Sequence, residues 1–248
     1  TGAVMTLLLK SSKLFNSDEI AWIKPKVEIK NDLRTTFLNN KSLDLFNELA
    51  VLKNLNSGDF NDVKKIEVYG TKKHLPLVWD YSNSKDRFGK VIQNNIIFDA
   101  IQKKLEDIKQ YDSLVTNTTY DEFERILYLK NKTYIKTNLL LSADGKNSQL
   151  RKLLHINTLS KKTGHVAISG FLKQSKNHNS IAIQAFTKLG PIGILPFKDK
   201  KIINFVLSIE ENKCKRILLK KNPEEYICDN LNDFFSHVNL TFKSIKKV

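Results

Sequence analysis

The sequence predicts an α/β protein, α+β over its full length, and three observations carry that expectation. Amphipathic helical stretches and short apolar runs of strand length alternate through the first two thirds of the 248 residues. From Gly164 to Ile209 the pattern changes to four alternating runs punctuated by Gly-Pro and Pro, as in an antiparallel sheet. Between these parts lies NLLLSA (138–143), a nearly continuous apolar run of the kind found in a strand buried on both faces.

Residues 3–15 read as a helix with Val4, Leu7, Leu8 and Phe15 near one face. EIAWIK (19–24) is a short strand that Pro25 prevents from continuing simply. Residues 34–38 are extended. Residues 42–52 place Leu43, Phe46, Leu49 and Ala50 at helical spacing, with Ser42 as N-cap. KIEVYG (65–70) and LPLVWD (75–80) alternate and read as strands. Residues 96–108 form an amphipathic helix with Ile97, Ala100, Ile101, Leu105 and Ile108 on one side. FERILYL (123–129), TYIKT (133–137) and 138–143 are strands, and Ser148 opens a helix to Leu154. HVAISGFL, SIAIQAF, IGILPF and IINFVLSI form the later sheet, and 224–235 is a closing helix.

Bulk properties remove several function classes. No run of about 18 apolar residues exists, so no helix is expected to span a bilayer. The first nine residues are apolar, but no basic stretch precedes them and no cleavage site follows, unlike a secretory signal. Cys214 and Cys228 have no metal spacing and fit a reducing compartment. The five histidines are scattered, so no metal site is expected. The net charge of +15 comes from lysines spread along the chain, with far fewer arginines. Base readout favours the arginine fork, so no nucleic-acid partner is expected, whereas attraction to an anionic membrane surface needs charge alone.

Three segments carry candidate chemistry. In SADGKNSQLR (142–151), an apolar run delivers Asp144 and Gly145 to the carboxyl end of a strand, where ligands bind in open α/β sheets. Gly145 allows a sharp turn and close approach of the backbone, and Ser148 starts a helix whose free N–H groups favour a phosphate, with Arg151 one turn in. In DLRTTFLNNKSLDLF (32–46), Arg34 offers a guanidinium suited to bidentate phosphate contact. In FTKLGPIGILPF (186–197), Gly190-Pro191 makes a turn and Pro196 interrupts a strand near a sheet edge. A weaker fourth is GKVIQNNIIFDAI (89–101), where Gln93 precedes an apolar helix.

In this order the segments resemble the FAD-dependent aromatic-ring hydroxylases of the ubiquinone-biosynthesis type, in the p-hydroxybenzoate hydroxylase class. The resemblance spans about residues 1–210. It implies a Rossmann-like FAD/NAD(P)-binding layer and a mostly antiparallel substrate sheet. The implied division is an FAD-binding part over 1–75 and 90–160, a substrate-binding sheet over 65–82 and 164–215, and a C-terminal helical segment, 216–248. Gly2, Arg34, Gln93, Asp144, Gly145 and Arg151 are the implied cofactor-binding residues. Pro191 and Pro196 are the implied substrate-side residues, with Pro196 expected to line the pocket. The implied reaction uses NAD(P)H and dioxygen to hydroxylate a polyprenyl phenol, with FAD supplying the chemistry and no acid–base pair required.

The family pattern is incomplete in this sequence. Gly2 matches only the third glycine of the dinucleotide fingerprint, and the first strand of the layer is missing. Lys24 stands where the family has an acidic ribose ligand, and Glu28 follows beyond Pro25. The Gly-Asp motif after the substrate sheet is not found. The expectation is therefore a fragment that binds FAD poorly or not at all by itself; a non-catalytic remnant or interaction module that no longer binds FAD is the alternative. Expected partners are a polyprenyl phenol and other ubiquinone-biosynthesis proteins. The expected location is the cytoplasm, with the inner-membrane surface as a peripheral attachment.

Overall fold

A computed structural model describes residues 1–25, 34–70 and 75–244 of the chain. Six α-helices, four short 3-10 helices and fifteen strands follow in order among them. They begin α1 (Gly2–Ser11), β1 (Ala21–Lys24), β2 (Thr35–Asn39), α2 (Asn40–Glu48), β3 (Phe60–Val63), β4 (Lys65–Tyr69), β5 (Leu77–Asp80), β6 (Gly89–Gln93) and α3 (Asn94–Lys103). Next come β7 (Lys109–Asp112), β8 (Val115–Tyr120), β9 (Arg125–Leu129), β10 (Tyr134–Thr137) and α4 (Gln149–Leu153). The remainder are β11 (His165–Gln174), β12 (Ile181–Phe186), β13 (Pro191–Pro196), β14 (Ile202–Glu210), α5 (Glu211–Leu218), α6 (Pro223–Phe235) and β15 (Phe242–Ser244). The chain divides into two compact units, one of residues 1–31 and 98–161, the other of residues 32–97 and 162–248.

The first unit contains a parallel pair, β1–β7, and an antiparallel meander, β10-β9-β8. Alternation along the meander puts Leu127, Leu129 and Val115 on one side, where they meet Leu150 of α4, Ile23 of β1 and Leu140. α1 buries Ala3, Thr6 and Leu7, the i, i+3, i+4 face of a helix. It ends at Ser11, sooner than its apolar run, and Lys13 takes a positive φ of 57°. The ammonium of Lys10 ties its last turn to the carbonyl of Lys104 at 2.7 Å.

The segment 138–143 departs from expectation. It forms no strand and pairs with none among the described residues. Leu139 is 56% exposed and Leu141 44%. Leu140 alone packs on the meander core, so alternation persists while the ladder does not. Three consecutive leucines report apolar character, but a strand also needs partners for its N–H and C=O groups.

The second unit is built on a seven-stranded sheet, β15-β11-β14-β13-β12-β4-β5. Every pairing in it is antiparallel except β12–β4. On one face the alternating Ile203, Phe205, Leu207 and Ile209 of β14 meet Cys214 and Ile217 of α5 and Ile227, Leu231 and Phe235 of α6. A small antiparallel sheet, β2-β6-β3, packs on the large one through Val63 and Val91 against Ala182, with Ile66, Phe88 and Leu195 around them. That packing explains why residues 32–64 and 90–97 belong with the large sheet rather than with the dinucleotide layer expected over 1–75 and 90–160. Likewise 216–244 is part of the second unit: its helix covers the sheet, and β15 pairs with β11.

Three further details differ from expectation. α2 is capped by Asn39, whose Oδ1 accepts from the N–H of Ser42, so the helix starts two residues early. α3 stops at Lys103, yet Leu105 and Ile108 are still buried. β13 lies between β14 and β12 rather than at an edge. Pro191 and Pro196 are tolerated there because they are the strand's first and last residues.

Candidate functional site

The Ser142–Arg151 segment folds into a turn closed by its own side chains. Ser142 Oγ donates to Asp144 Oδ1 at 2.8 Å, and the N–H groups of Gln149 and Leu150 donate to Asp144 Oδ2 at 2.7 and 3.2 Å. Ser148, buried, accepts from the N–H of Arg151 at 3.0 Å. Gly145 adopts φ of +80°, where a residue with a Cβ would be strained, and open space surrounds it. Partial burial pushes the Asp144 carboxyl upward, but bonds from Ser148, Ser142, Leu150 and Gln149 outweigh it and bring the pKa down to about 2. The carboxylate is therefore ionised throughout the neutral range.

This geometry corrects one expectation. The first N–H groups of α4 were expected to be free for a phosphate; Asp144 and Ser148 occupy them, and α4 is only five residues long. Asp144 is the cap, and Arg151 Nη2 is directed to the carbonyl of Lys146 at 2.5 Å. The donors without a side-chain cap belong to α1, whose N-cap, Thr1, makes no such bond. A cavity of about 370 Å³ opens beside them, lined by Thr1, Asp144, Gly145, Arg151 and Ile156 among others. A Cβ at Gly2 would lie 3.7 Å from Ala143 Cβ and 3.8 Å from Trp22 Nε1, so the helix start sits against both the turn and β1. Four of the expected cofactor residues, Gly2, Asp144, Gly145 and Arg151, thus converge at one place in the first unit.

At the end of β1, Lys24 stands in register with Asp112 of β7. Its ammonium is 3.8 Å from that carboxylate and 4.8 Å from the centre of the Trp22 ring. The carboxylate missing from position 24 is therefore present one strand over. Sequence reasoning missed it because KQYD has no apolar alternation to mark β7 as a strand. Glu28 lies outside the described residues.

Arg34 and Gln93 come together in the second unit. Thr35 pairs with Gln93 across β2 and β6, and the carbonyl of Arg34 accepts from the N–H of Asn94 at 3.0 Å. Thr35 Oγ1 donates to Asn204 Oδ1 at 2.9 Å, and Asn204 Nδ2 donates to the carbonyl of Gly170 at 3.1 Å. Asn204 is 2% exposed and sits in an otherwise apolar strand, so these two bonds satisfy an amide that would be costly to bury alone. It anchors the strand end that bears Arg34 and Gln93, and only its polarity within IINFVLSI could have marked it. The buried Oδ1 of Asn95, two residues after Gln93, has no hydrogen-bond partner among the described residues. Pro191 is exposed, whereas Pro196 is buried on the same strand parity as Ile192 and Ile194, which face the helix-covered core.

No protein-family model matches the chain. Among curated proteins it is 27% identical over 237 residues to the Caenorhabditis elegans "Ubiquinone biosynthesis monooxygenase COQ6, mitochondrial", covering 90% of this chain and 50% of that one. The human protein of the same name is 24% identical over 256 residues, covering 94% of this chain and 54% of that one. The chain thus spans about half the length of the curated relatives it matches. Among solved structures it matches pqsL, "a probable FAD-dependent monooxygenase from Pseudomonas aeruginosa", with a TM-score of 0.76 at 14% identity over 98% of this chain and 70% of that one. It also matches CmlS, "a flavin-dependent halogenase", with a TM-score of 0.73 at 10% identity over 99% of this chain and 46% of that one. In sequence the chain resembles the ubiquinone biosynthesis monooxygenases over most of its length, and its fold is that of the FAD-dependent monooxygenases.

Proposed function

We propose that the chain is part of an FAD-dependent monooxygenase that hydroxylates the aromatic ring of a polyprenylated ubiquinone precursor, using NAD(P)H and dioxygen. When bound and reduced, FAD supplies the oxygen chemistry. The chain's own residues bind and orient. The first turn of α1, without a side-chain cap, would hold the pyrophosphate, with Gly2 permitting close approach. Asp144 holds the adjoining loop in shape, and Arg151 adds a cation to its wall. Asp112, beside Lys24, would accept from the ribose hydroxyls of a bound cofactor. In this reading Arg34 and Gln93 of the second unit are further cofactor contacts, and the exposed Pro191 is the substrate-side residue. Other ubiquinone-biosynthesis proteins and a membrane surface are the partners in this reading, and the curated relatives are named as mitochondrial.

The observation that carries the reading is the convergence of the Ser142–Arg151 turn with the start of α1 on one cavity. Equilibrium dialysis with FAD tests it. Weak, saturable binding is expected, because Lys24 stands where the family has an acceptor. Arg151→Ala should weaken it about tenfold, equivalent to about 1.4 kcal/mol, and Lys24→Glu should tighten it. No saturable binding at any attainable FAD concentration, in protein that remains folded, would favour a non-catalytic interaction module instead.

A further inference from the structure

We propose that the corner between α5 and α6 docks the protein onto an anionic lipid bilayer, with Leu218 and Leu219 entering the acyl boundary and the surrounding cations contacting headgroups. This inference is independent of flavin binding. α5 buries Cys214 and Ile217 against the large sheet, and that accounts for its inner face. The next two residues are apolar and turn outward: Leu218 is 60% exposed and Leu219 86%. Two adjacent leucines projecting from a helix end cover no part of the core.

What surrounds them identifies the occupant. Between residues 211 and 221 the sequence carries five cations, Lys213, Lys215, Arg216, Lys220 and Lys221, and one acid, Glu211. Glu211 is taken by Lys215 in an i,i+4 ion pair at 2.9 Å, and Lys213 donates to the carbonyl of Lys188. Arg216, Lys220 and Lys221 are exposed beside the leucines. The Lys220 ammonium lies 4.4 Å from the centre of the Tyr226 ring, so a half-buried aromatic with a polar tip borders the same patch. Glu225 of α6 is held by Asn222 at 2.9 Å, and Glu224 lies in the same first turn, where the helix dipole favours an acid. Apolar side chains ringed by cations match a surface that is apolar within and negative at its boundary. Among the described residues no helix is long and apolar enough to cross a membrane, so attachment of this kind is peripheral.

The test is co-sedimentation with vesicles of phosphatidylcholine, with and without phosphatidylglycerol. The protein should bind only the anionic vesicles. Because a net charge of +15 would by itself attract such vesicles, the leucines decide the outcome. The double variant Leu218→Ser/Leu219→Ser should lower the partition coefficient about tenfold or more while leaving thermal stability unchanged. The triple variant Arg216→Glu/Lys220→Glu/Lys221→Glu should also lose binding, each cation contributing about fivefold. Lys41→Glu/Lys53→Glu/Lys85→Glu, an equal change in net charge at exposed positions elsewhere, should retain most of it. An environment-sensitive fluorophore on Leu219→Cys should shift to the blue with anionic vesicles; Cys214 and Cys228 are buried and stay unlabelled. Undiminished binding by the leucine variant would overturn the proposal. So would equal losses from the two charge variants, or a bound protein whose fluorophore stays in water, as it would if the corner met an acidic protein instead.

Discussion

The two units treat their apolar residues in opposite ways. In the second, Ile192, Leu207, Ile209 and Phe235 are fully buried between a long sheet and two helices. In the first, the apolar run 138–143 lies half in water, and its backbone joins no ladder among the described residues. Hydrophobicity alone therefore does not make a strand. The second unit satisfies its backbone across seven strands and buries one face under helices. The first leaves backbone outside any sheet next to the turn that carries its candidate chemistry. The larger buried core lies in one unit and the loops that line the cavity in the other.

The largest effect should come from the closed core. Phe235 stacks edge-on against Tyr69 and Phe242 with no exposed surface, so Phe235→Ala should cost about 3–5 kcal/mol in chemical denaturation. A loss under about 1 kcal/mol would mean that the helices do not hold the sheet. In the first unit, Asp144→Ala should cost about 1 kcal/mol, the usual worth of a helix cap, and speed amide exchange at Gln149 and Leu150. The folded Asp144 pKa, about 2, is below its unfolded value, so this stability is present above about pH 4 and is lost as pH falls through the folded value. The variant should lack that acid-dependent loss.

His178 provides a pH test within the second unit. Its Nδ1 accepts from the N–H of Ser180 at 3.0 Å and its Nε2 meets the carbonyl of Phe197 at 2.7 Å, an arrangement suited to the neutral ring. Burial pushes its pKa down, more than Phe197 and Asp199 raise it. Stability should thus be full above the unfolded value, near pH 6.5, and fall as the pH drops toward the folded one. In His178→Gln that slope should be absent from melts taken over the mildly acidic range. The smallest effect is expected where the sequence looked most like core: Leu139→Ser/Leu141→Ser should change stability by no more than about 0.5 kcal/mol per site. A loss of several kcal/mol would show that this segment is paired after all.

These contrasts also explain what could be read from the sequence. β11 to β14 were legible because each alternates cleanly and ends at a Gly, Pro or polar turn. β3, β7 and β8 were not, since FNDV, KQYD and VTNTTY carry too few apolar residues to show period two. α5 was missed because only Cys214 and Ile217 face inward from a highly charged stretch. At the site, Asp144, Gly145 and Arg151 could be named from their spacing, but not that the carboxylate would occupy the amides assigned to a phosphate. Asp112 and Asn204 were out of reach for a different reason: their roles depend on strand register and on contact between sheets, which local pattern does not encode.

The Asp144 cap has a consequence for the kinetics of binding. Because the loop closes on its own carboxylate, it holds one shape before any ligand arrives. A nucleotide that meets it need not first select a rare conformer, nor forfeit chain entropy to order the turn. Association there should follow a single concentration-dependent phase, with no slow step independent of ligand, and the residence time should be set by the walls of the cavity rather than by reopening of the loop.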